Sequence, residues 1–581
     1  MRSIPRRPEA TRLGVAILGV ALATVACEAD VAAPLGPRRE VPPTQGGVLR
    51  SAFFTDVRSL DAATAFDTAS AVIEGLIYDQ LVTYDRHGKL SPQLAESIEV
   101  SPDGLRYTFT LRRGVLFHDG APLGADDVKR SVERTLHPDT PCPVPSYYER
   151  IVGWGEYHEG RAPELTGVRV ESEHVVSFQL AQPDATFLHV MALPIMAPVC
   201  ESAGRTWTRE FSRRACGAGP YRLVRFEHGD AVEVERHDGY WQSGKPYVDR
   251  IVWYLAMQPF TQRFKFERGD LDYIRELGEA DSLLYRRSAA WQGLGEWEQP
   301  LSTFGVFMNA ELRPFDNRHV RRAVAFALDR DQLAQVRPGH VAPTGRMTPD
   351  AIAPEAVRDV GQRHDLDRAL EEMRLAGLAW DPATRTGGWP EEIEYLAILD
   401  SFGQQAGELL QQQLARIGLR VRIQLVGFPT YLARTGRRRT VPMGSVGWNA
   451  DYPEPSTFFE PILTSRAIQD EESQNASFFS NAELDALLAR ARVTTDEAER
   501  GRLYRRAEEI VRDEAPWAVA YSYRYFELWQ PYLHGYRPHP VLQQDVRFAW
   551  LDRGARPARA GLFPWRRRSG RTTLALATVL P

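Results

Sequence analysis

Four cysteines in 581 residues are too few for a disulfide-stapled scaffold. Local signatures of common enzymes are missing as well: the chain has no G-x-S-x-G elbow, no H-E-x-x-H, no C-x-x-C and no P-loop. His158-Glu159 lacks a second histidine, and the 13 histidines are scattered without metal-ligand spacing. Carboxylates abound, but no spacing places two of them about one bond. With 43% apolar and 25% charged residues the chain is too polar for a polytopic membrane protein. Positive charge is short in the body. The net charge is −5, with +3 in residues 1–26 and +7 from Arg553 onward, which leaves −15 for 27–552. That balance argues against nucleic acid as a partner.

What is present starts with an export signal. Arg2, Arg6, Arg7 and Arg12 precede an apolar run, Leu13 to Ala26, too short to span a bilayer comfortably. It ends in Thr24-Val25-Ala26-Cys27. Small residues before a cysteine resemble the bacterial lipobox, in which that cysteine becomes the lipidated first residue; Thr24 stands where the pattern prefers Leu. The reading is a signal peptide over 1–26 and lipidation at Cys27, with simple secretion or an uncleaved anchor as alternatives. Residues 27–45, rich in Ala, Pro and Gly, read as a flexible tether, and 553–581 as a disordered basic tail.

Between these ends a chain of this length is expected to divide into two or more lobes. Leu105, Tyr107, Phe109 and Leu111 alternate with polar residues, which predicts a half-buried strand. Ile393 to Leu399 alternates likewise, a helical stretch from Phe402 to Ile417 follows, and Leu419 to Leu425 alternates again, with Gly418 placed as a cap. Strand, helix and strand in so short a span predict a βαβ unit with parallel strands in an α/β lobe. Capping boxes are expected at Ser480/Glu483 and Thr494/Glu497.

Five segments carry a resemblance. They are Leu94-Ala95-Glu96-Ser97 running on through Ser101-Pro102-Asp103-Gly104 to Phe117-His118-Asp119-Gly120 and Asp126-Asp127-Val128; Gly217-Ala218-Gly219-Pro220-Tyr221; Gly269-Asp270-Leu271-Asp272; Met308-Asn309 with Val320 to Arg330; and Gly447-Trp448-Asn449-Ala450-Asp451-Tyr452-Pro453. Together they resemble the extracytoplasmic solute-binding proteins of family 5, the dipeptide/oligopeptide-binding type of ABC importers. The resemblance implies a two-lobed α/β fold of the periplasmic-binding-protein type II, cluster C, with an additional small domain. Lobe I would comprise 46–88, 200–304 and 520–552, the small domain 89–199 and lobe II 305–519. Hinge strands would let the lobes close on a ligand.

In peptide-binding members the Trp-x-x-Asp segment lines the cleft and its Asp pairs with the peptide α-ammonium, which assigns that role to Asp451 by resemblance. A carboxylate enclosed by closing lobes loses water, and a ligand cation offsets that cost. Otherwise Asp451 only caps a turn before Pro453. Trp448 is an aromatic wall of the cleft or a core residue. Tyr523 aligns with a further cleft tyrosine, and Tyr147 approaches from the small domain. Asp67 is a loose candidate for an acidic contact near the first helix. Cys216 departs from the family's aliphatic residue; a Cys200–Cys216 bridge would close a loop of about 15 residues, with Cys142 free or exchanged for one partner. The expected protein is a monomer without cofactor or metal, held at a bacterial membrane through its lipid and facing outward. It captures a peptide or other amine-bearing solute and passes it to an ABC permease with its ATPase subunits. Rivals are the same fold binding an oligosaccharide, an opine, or a nickel or haem complex, and a secreted enzyme or sensor. Cys27→Ser is expected to move the protein from the membrane to the soluble fraction on cell fractionation; unchanged membrane association would point to another anchor.

Overall fold

The computed structural model describes residues 31–552 apart from Phe66, together with Gly554. The expected signal segment, Cys27 and, but for Gly554, the expected basic tail lie outside the described residues. Residues 31–45 of the expected tether run along lobe I. Leu35 N–H donates to Gln530 Oε1 at 3.2 Å, Trp291 Nε1 donates to the Ala32 carbonyl at 2.8 Å, and Val31 and Leu35 pack on the lobe's core.

Lobe I begins with strand β1 (Val48–Ala52) and helix α1 (Thr68–Ile77). Asp67 caps α1, accepting the Ser70 N–H at 3.0 Å and the Ser70 hydroxyl at 2.7 Å. The chain then builds the small domain from β2 (Ala95–Val100), β3 (Arg106–Leu111), α2 (Ala125–Leu136), β4 (Val168–Ser172) and β5 (Val175–Gln179). Its antiparallel sheet has the order β2-β3-β5-β4. Tyr107, Phe109 and Leu111 of β3 are buried, as the alternation predicts. Leu81, Val82 and Tyr84 pack into the same core. Back in lobe I, β6 (Tyr221–Glu227), β7 (Ala231–Arg236) and β8 (Arg250–Tyr254) complete a sheet of order β1-β8-β7-β6. Two short strands follow, β9 (Tyr273–Ile274) and β10 (Gly295–Glu298).

Lobe II holds β11 (Ser302–Met308), α3 (Arg318–Ala327), β12 (Val341–Pro343), β13 (Glu392–Ile398), α4 (Ser401–Ala415), β14 (Arg420–Val426), α5 (Phe428–Thr435), β15 (Met443–Asn449), α6 (Ala482–Val493), α7 (Glu497–Glu514) and β16 (Trp517–Tyr523). Its six strands are ordered β12-β16-β11-β15-β13-β14. β13 and β14 are parallel and joined by α4, which is the βαβ unit read from the alternation. Val320, Ala323, Val324, Ala327 and Leu328 are buried at helical spacing on α3. β17 (Tyr525–Trp529) then returns to lobe I between β9 and β10.

The chain therefore crosses between lobes at 299–301 and at Arg524. The expected boundaries, after 304 and before 520, fall inside β11 and β16, because both strands pair with lobe II over their full length. The helix caps also differ. Asn481, not Ser480, accepts the Leu484 N–H, and Asp496, not Thr494, accepts the Glu499 N–H. Each favoured cap residue has an equally good competitor close by. Gly217 and Gly219 are needed for close approach. A Cβ on Gly219 would lie 2.6 Å from the Ile77 carbonyl oxygen, and one on Gly217 would lie 2.3 Å from the Tyr78 ring. The end of α1 is thereby seated against this turn.

Two buried ion pairs tie the parts together. Arg134 on α2 holds Asp61 of lobe I through two bonds of 2.9 and 2.7 Å. Arg492 on α6 donates to Asp184 of the small domain at 3.0 Å, and its carbonyl accepts the Ala185 N–H at 2.8 Å. Cys200 and Cys216 are joined in a disulfide with Cα atoms 5.5 Å apart, while Cys142 is free and its thiol is pushed by burial to about 11. Replacing Cys200 and Cys216 by Ser is expected to lower stability by about 3 kcal/mol in chemical denaturation, from the loop the bridge closes. A difference below about 0.5 kcal/mol would show that the bridge does not constrain the unfolded chain.

Candidate ligand cleft

A cavity of about 1180 Å³ opens between the lobes. Lobe I contributes α1 and the loop 541–547; the small domain contributes Tyr84 and residues 192–195; lobe II contributes β11, α4, α5, β15 and β16. A volume of this order exceeds what a drug-sized ligand requires.

Asp451 sits in its wall two residues beyond β15. The position is fixed by the hinge: Ala450 N–H donates to the Leu301 carbonyl at 2.7 Å. One carboxylate oxygen, Oδ2, accepts from Thr457 Oγ1 at 3.0 Å and from the Tyr147 hydroxyl. Thr457 Oγ1 in turn accepts the Asp451 N–H at 3.1 Å. No cationic side chain pairs with Asp451 among the described residues. Burial raises its carboxyl to about 6, and the bonds from Tyr147 and Thr457 hold it from going higher. The arrangement is an ionisable carboxylate with one oxygen fixed and no countercharge. Thr457 was not singled out from the sequence; the S/T-rich turn after Pro453 gives no local signal for it.

Tyr147 comes from the small domain, and its ring meets Tyr452 edge-on at 5.7 Å. Tyr452 is buried and also stacks on His189, whose Nδ1 lies 3.1 Å from the Tyr84 hydroxyl. Burial lowers His189 to about 4, so the stack is uncharged. Trp448 lines the cavity and also packs against lobe II core residues. Its Nε1 is buried without a hydrogen-bond partner among the described residues. Gly447 beside it is required because a Cβ there would lie 1.9 Å from the Phe304 ring.

Tyr523 is in the same cavity but on a different wall. It packs on Phe304 at 4.5 Å and Tyr521 at 5.2 Å between ring centroids, with the Arg337 guanidinium 5.8 Å from its ring. Phe402 closes this aromatic surface, edge-on to Tyr521 at 5.5 Å. Asp67 also reaches the cavity wall, but its oxygens are engaged in capping α1. The structure thus gathers Asp451, Trp448 and Tyr523 about one cavity, with Tyr147 bonded to Asp451 from outside its lining. Among the described residues the one group with metal-like spacing is Asp119 with Cys200 and Cys216, whose sulfurs are bonded to each other.

Comparison with known proteins gives the same architecture. The model of the bacterial extracellular solute-binding proteins, family 5, matches residues 89–470. The glutathione-binding protein GsiB of Salmonella choleraesuis (strain SC-B67) is 29% identical over 464 residues, 79% of this chain and 86% of that protein. GsiB of Escherichia coli O1:K1 is 28% identical over 511 residues, 87% of this chain and 92% of that protein. Among solved structures, the clavulanic acid biosynthesis oligopeptide binding protein 2 superposes with a TM-score of 0.80 at 25% identity, covering 90% of this chain and 99% of its own. The periplasmic binding protein DppA from Helicobacter pylori, in complex with the peptide STSA, superposes with a TM-score of 0.72 at 23% identity over 88% of this chain and 99% of its own. With a family match over more than half its length and the two-lobed cleft to go with it, the chain belongs to the family 5 bacterial extracellular solute-binding proteins, substrate-binding and non-enzymatic components of ABC importers.

Proposed function

We propose that this protein captures di- or oligopeptides outside the cytoplasmic membrane, by their free α-ammonium, and hands them to a permease driven by ATPase subunits. In this reading it is a monomer tethered through lipidated Cys27. The observation that carries the proposal is Asp451, a cleft carboxylate with Oδ2 fixed by Tyr147 and Thr457 and no cation beside it. An ammonium placed there replaces lost hydration with charge-assisted hydrogen bonds. Trp448, Tyr523 and the aromatic surface around Tyr523 supply side-chain contact. Relatives named for glutathione and structures named for peptides point to the same class of amine-bearing solute.

Asp451→Asn is expected to weaken peptide binding by about 2–5 kcal/mol, because the ligand ammonium loses its charged partner. Calorimetry with di- to pentapeptides, their N-acetylated forms, oligosaccharides and nickel chelates tests it. Equal affinity of the variant and the parent protein for every peptide removes the anchor role, and tight binding of a sugar or chelate replaces the peptide reading.

The same carboxyl fixes a pH dependence. Unliganded Asp451 takes up a proton as pH falls through about 6, and a ligand ammonium needs the ionised form. Affinity is therefore full above that pH and falls by up to about ten-fold per unit below it. Titrating affinity from pH 8 to 4 checks the sign; flat affinity across pH 6 contradicts it.

A further inference from the structure

The charge of the cleft wall is one-sided. Asp67, Glu74, Asp400, Asp451, Glu472 and Asp545 line the cavity, whereas Arg547 is its sole cationic lining residue among the described residues. Arg547 is already spent: its Nε and Nη2 hold both oxygens of Asp545 at 2.8 Å. Asp67 and Asp400 cap helices, Asp400 accepting the Gly403 N–H at 2.6 Å.

Glu74 is different. It lies inside α1, is 1% exposed, and lines the cavity. Its Oε1 is buried with no hydrogen-bond partner among the described residues. The groups around it offer no neutralisation. Asp61 and Asp67 repel its charge, Tyr78 is buried, and Arg134, the nearby cation, is held by both oxygens of Asp61. An unpartnered buried carboxyl is costly to keep. The Gln544 amide oxygen in the loop across from α1 is likewise buried without a donor. The wall therefore carries acceptors in excess and no free cation.

We propose that the transported ligand is a dication, with one ammonium at Asp451 and a second amine or guanidinium received by Glu74. This rests on the role given to Asp451 above. The ligand class is short peptides with a lysine or arginine side chain. Peptides rich in carboxylates meet no partner here. Glutathione, with two carboxylates and one ammonium, is disfavoured for the same reason.

The test is calorimetry at pH 7 with C-terminally amidated tri- and tetrapeptides of alanine, in which Lys or Glu replaces one internal residue, together with glutathione. The Lys peptides are expected to bind at least about ten-fold tighter than their Ala counterparts, the Glu peptides and glutathione more weakly. Glu74→Gln is expected to cancel the Lys-over-Ala ratio. A second measurement needs no variant. Burial and the neighbouring acids raise the empty Glu74 carboxyl well above the ordinary carboxylate range, so binding a Lys peptide is expected to release more protons than binding its Ala counterpart. Comparing heats in two buffers of different ionisation enthalpy reads this release. Equal affinities for Lys and Ala peptides, a ratio that survives Glu74→Gln, equal proton release, or glutathione as the tightest ligand would each overturn the inference. If Ala peptides bind through Asp451 without any Lys preference, the inference falls and the α-ammonium reading stands; if no peptide binds, both fall.

Discussion

The molecule depends on carboxylates that its own chain leaves without a countercharge. Removing an ionised group from water is costly, and proteins normally offset that with an arginine or lysine. This chain does so elsewhere: Asp61 has Arg134, Asp184 has Arg492, and Asp545 has Arg547. Among the described residues, by contrast, Asp451 receives two hydroxyl donors and no cation, and Glu74 Oε1 receives no donor. These two carboxyls lie on opposite lobes and line one cavity. Under the proposed function, a cation entering the cleft would supply the missing countercharge, and its binding would favour the closed lobes.

How the parts meet follows from the crossings at 299–301 and Arg524. β10 and β17 belong to lobe I, and β11 and β16 belong to lobe II, so two short segments carry any motion between them. Asp451 is tied to one of these through the Ala450 to Leu301 bond. The small domain is fastened to both lobes: Arg134 reaches from it to Asp61, and Arg492 reaches into it from α6. Tyr147 adds a third tie, which ends on the cavity-lining carboxylate of Asp451. A change in the charge of Asp451 is thus felt at the contact between small domain and lobe II.

The βαβ unit at 392–426 and the half-buried strand at 106–111 were legible in the sequence because their signal is local alternation. Asp451 and Trp448 were legible only through their segment's resemblance to a family pattern; nothing in their spacing declares a cleft. What was hidden is long-range. Tyr147 and Asp451 are 304 residues apart, and Thr457 acquires its role only once the turn folds back. Glu74 sits among Ile73, Gly75 and Leu76, where a lone acid reads as an ordinary exposed helix position; its burial follows from how the end of α1 beds on Gly217 and Gly219. Those glycines suggested a tight turn, and the close approach they permit depends on a helix far away in sequence. The lobe boundaries were misplaced by a few residues for a related reason: a strand's end is set by its partner's length.

The separation of scaffold from wall explains how one fold serves different solutes. The features that hold the structure together are buried glycine contacts, the Arg134 and Arg492 pairs and the apolar cores, and neither Arg134 nor Arg492 lines the cavity. The architecture persists at low identity, as the superposition on the clavulanic acid biosynthesis oligopeptide binding protein 2 at 25% identity shows, and under the proposed reading the charge of the wall selects the guest. In this chain that charge is negative, and its one arginine is already engaged. Under the proposed reading, an anionic peptide finds no unengaged cationic side chain in this wall among the described residues, so discrimination needs no dedicated repulsive group.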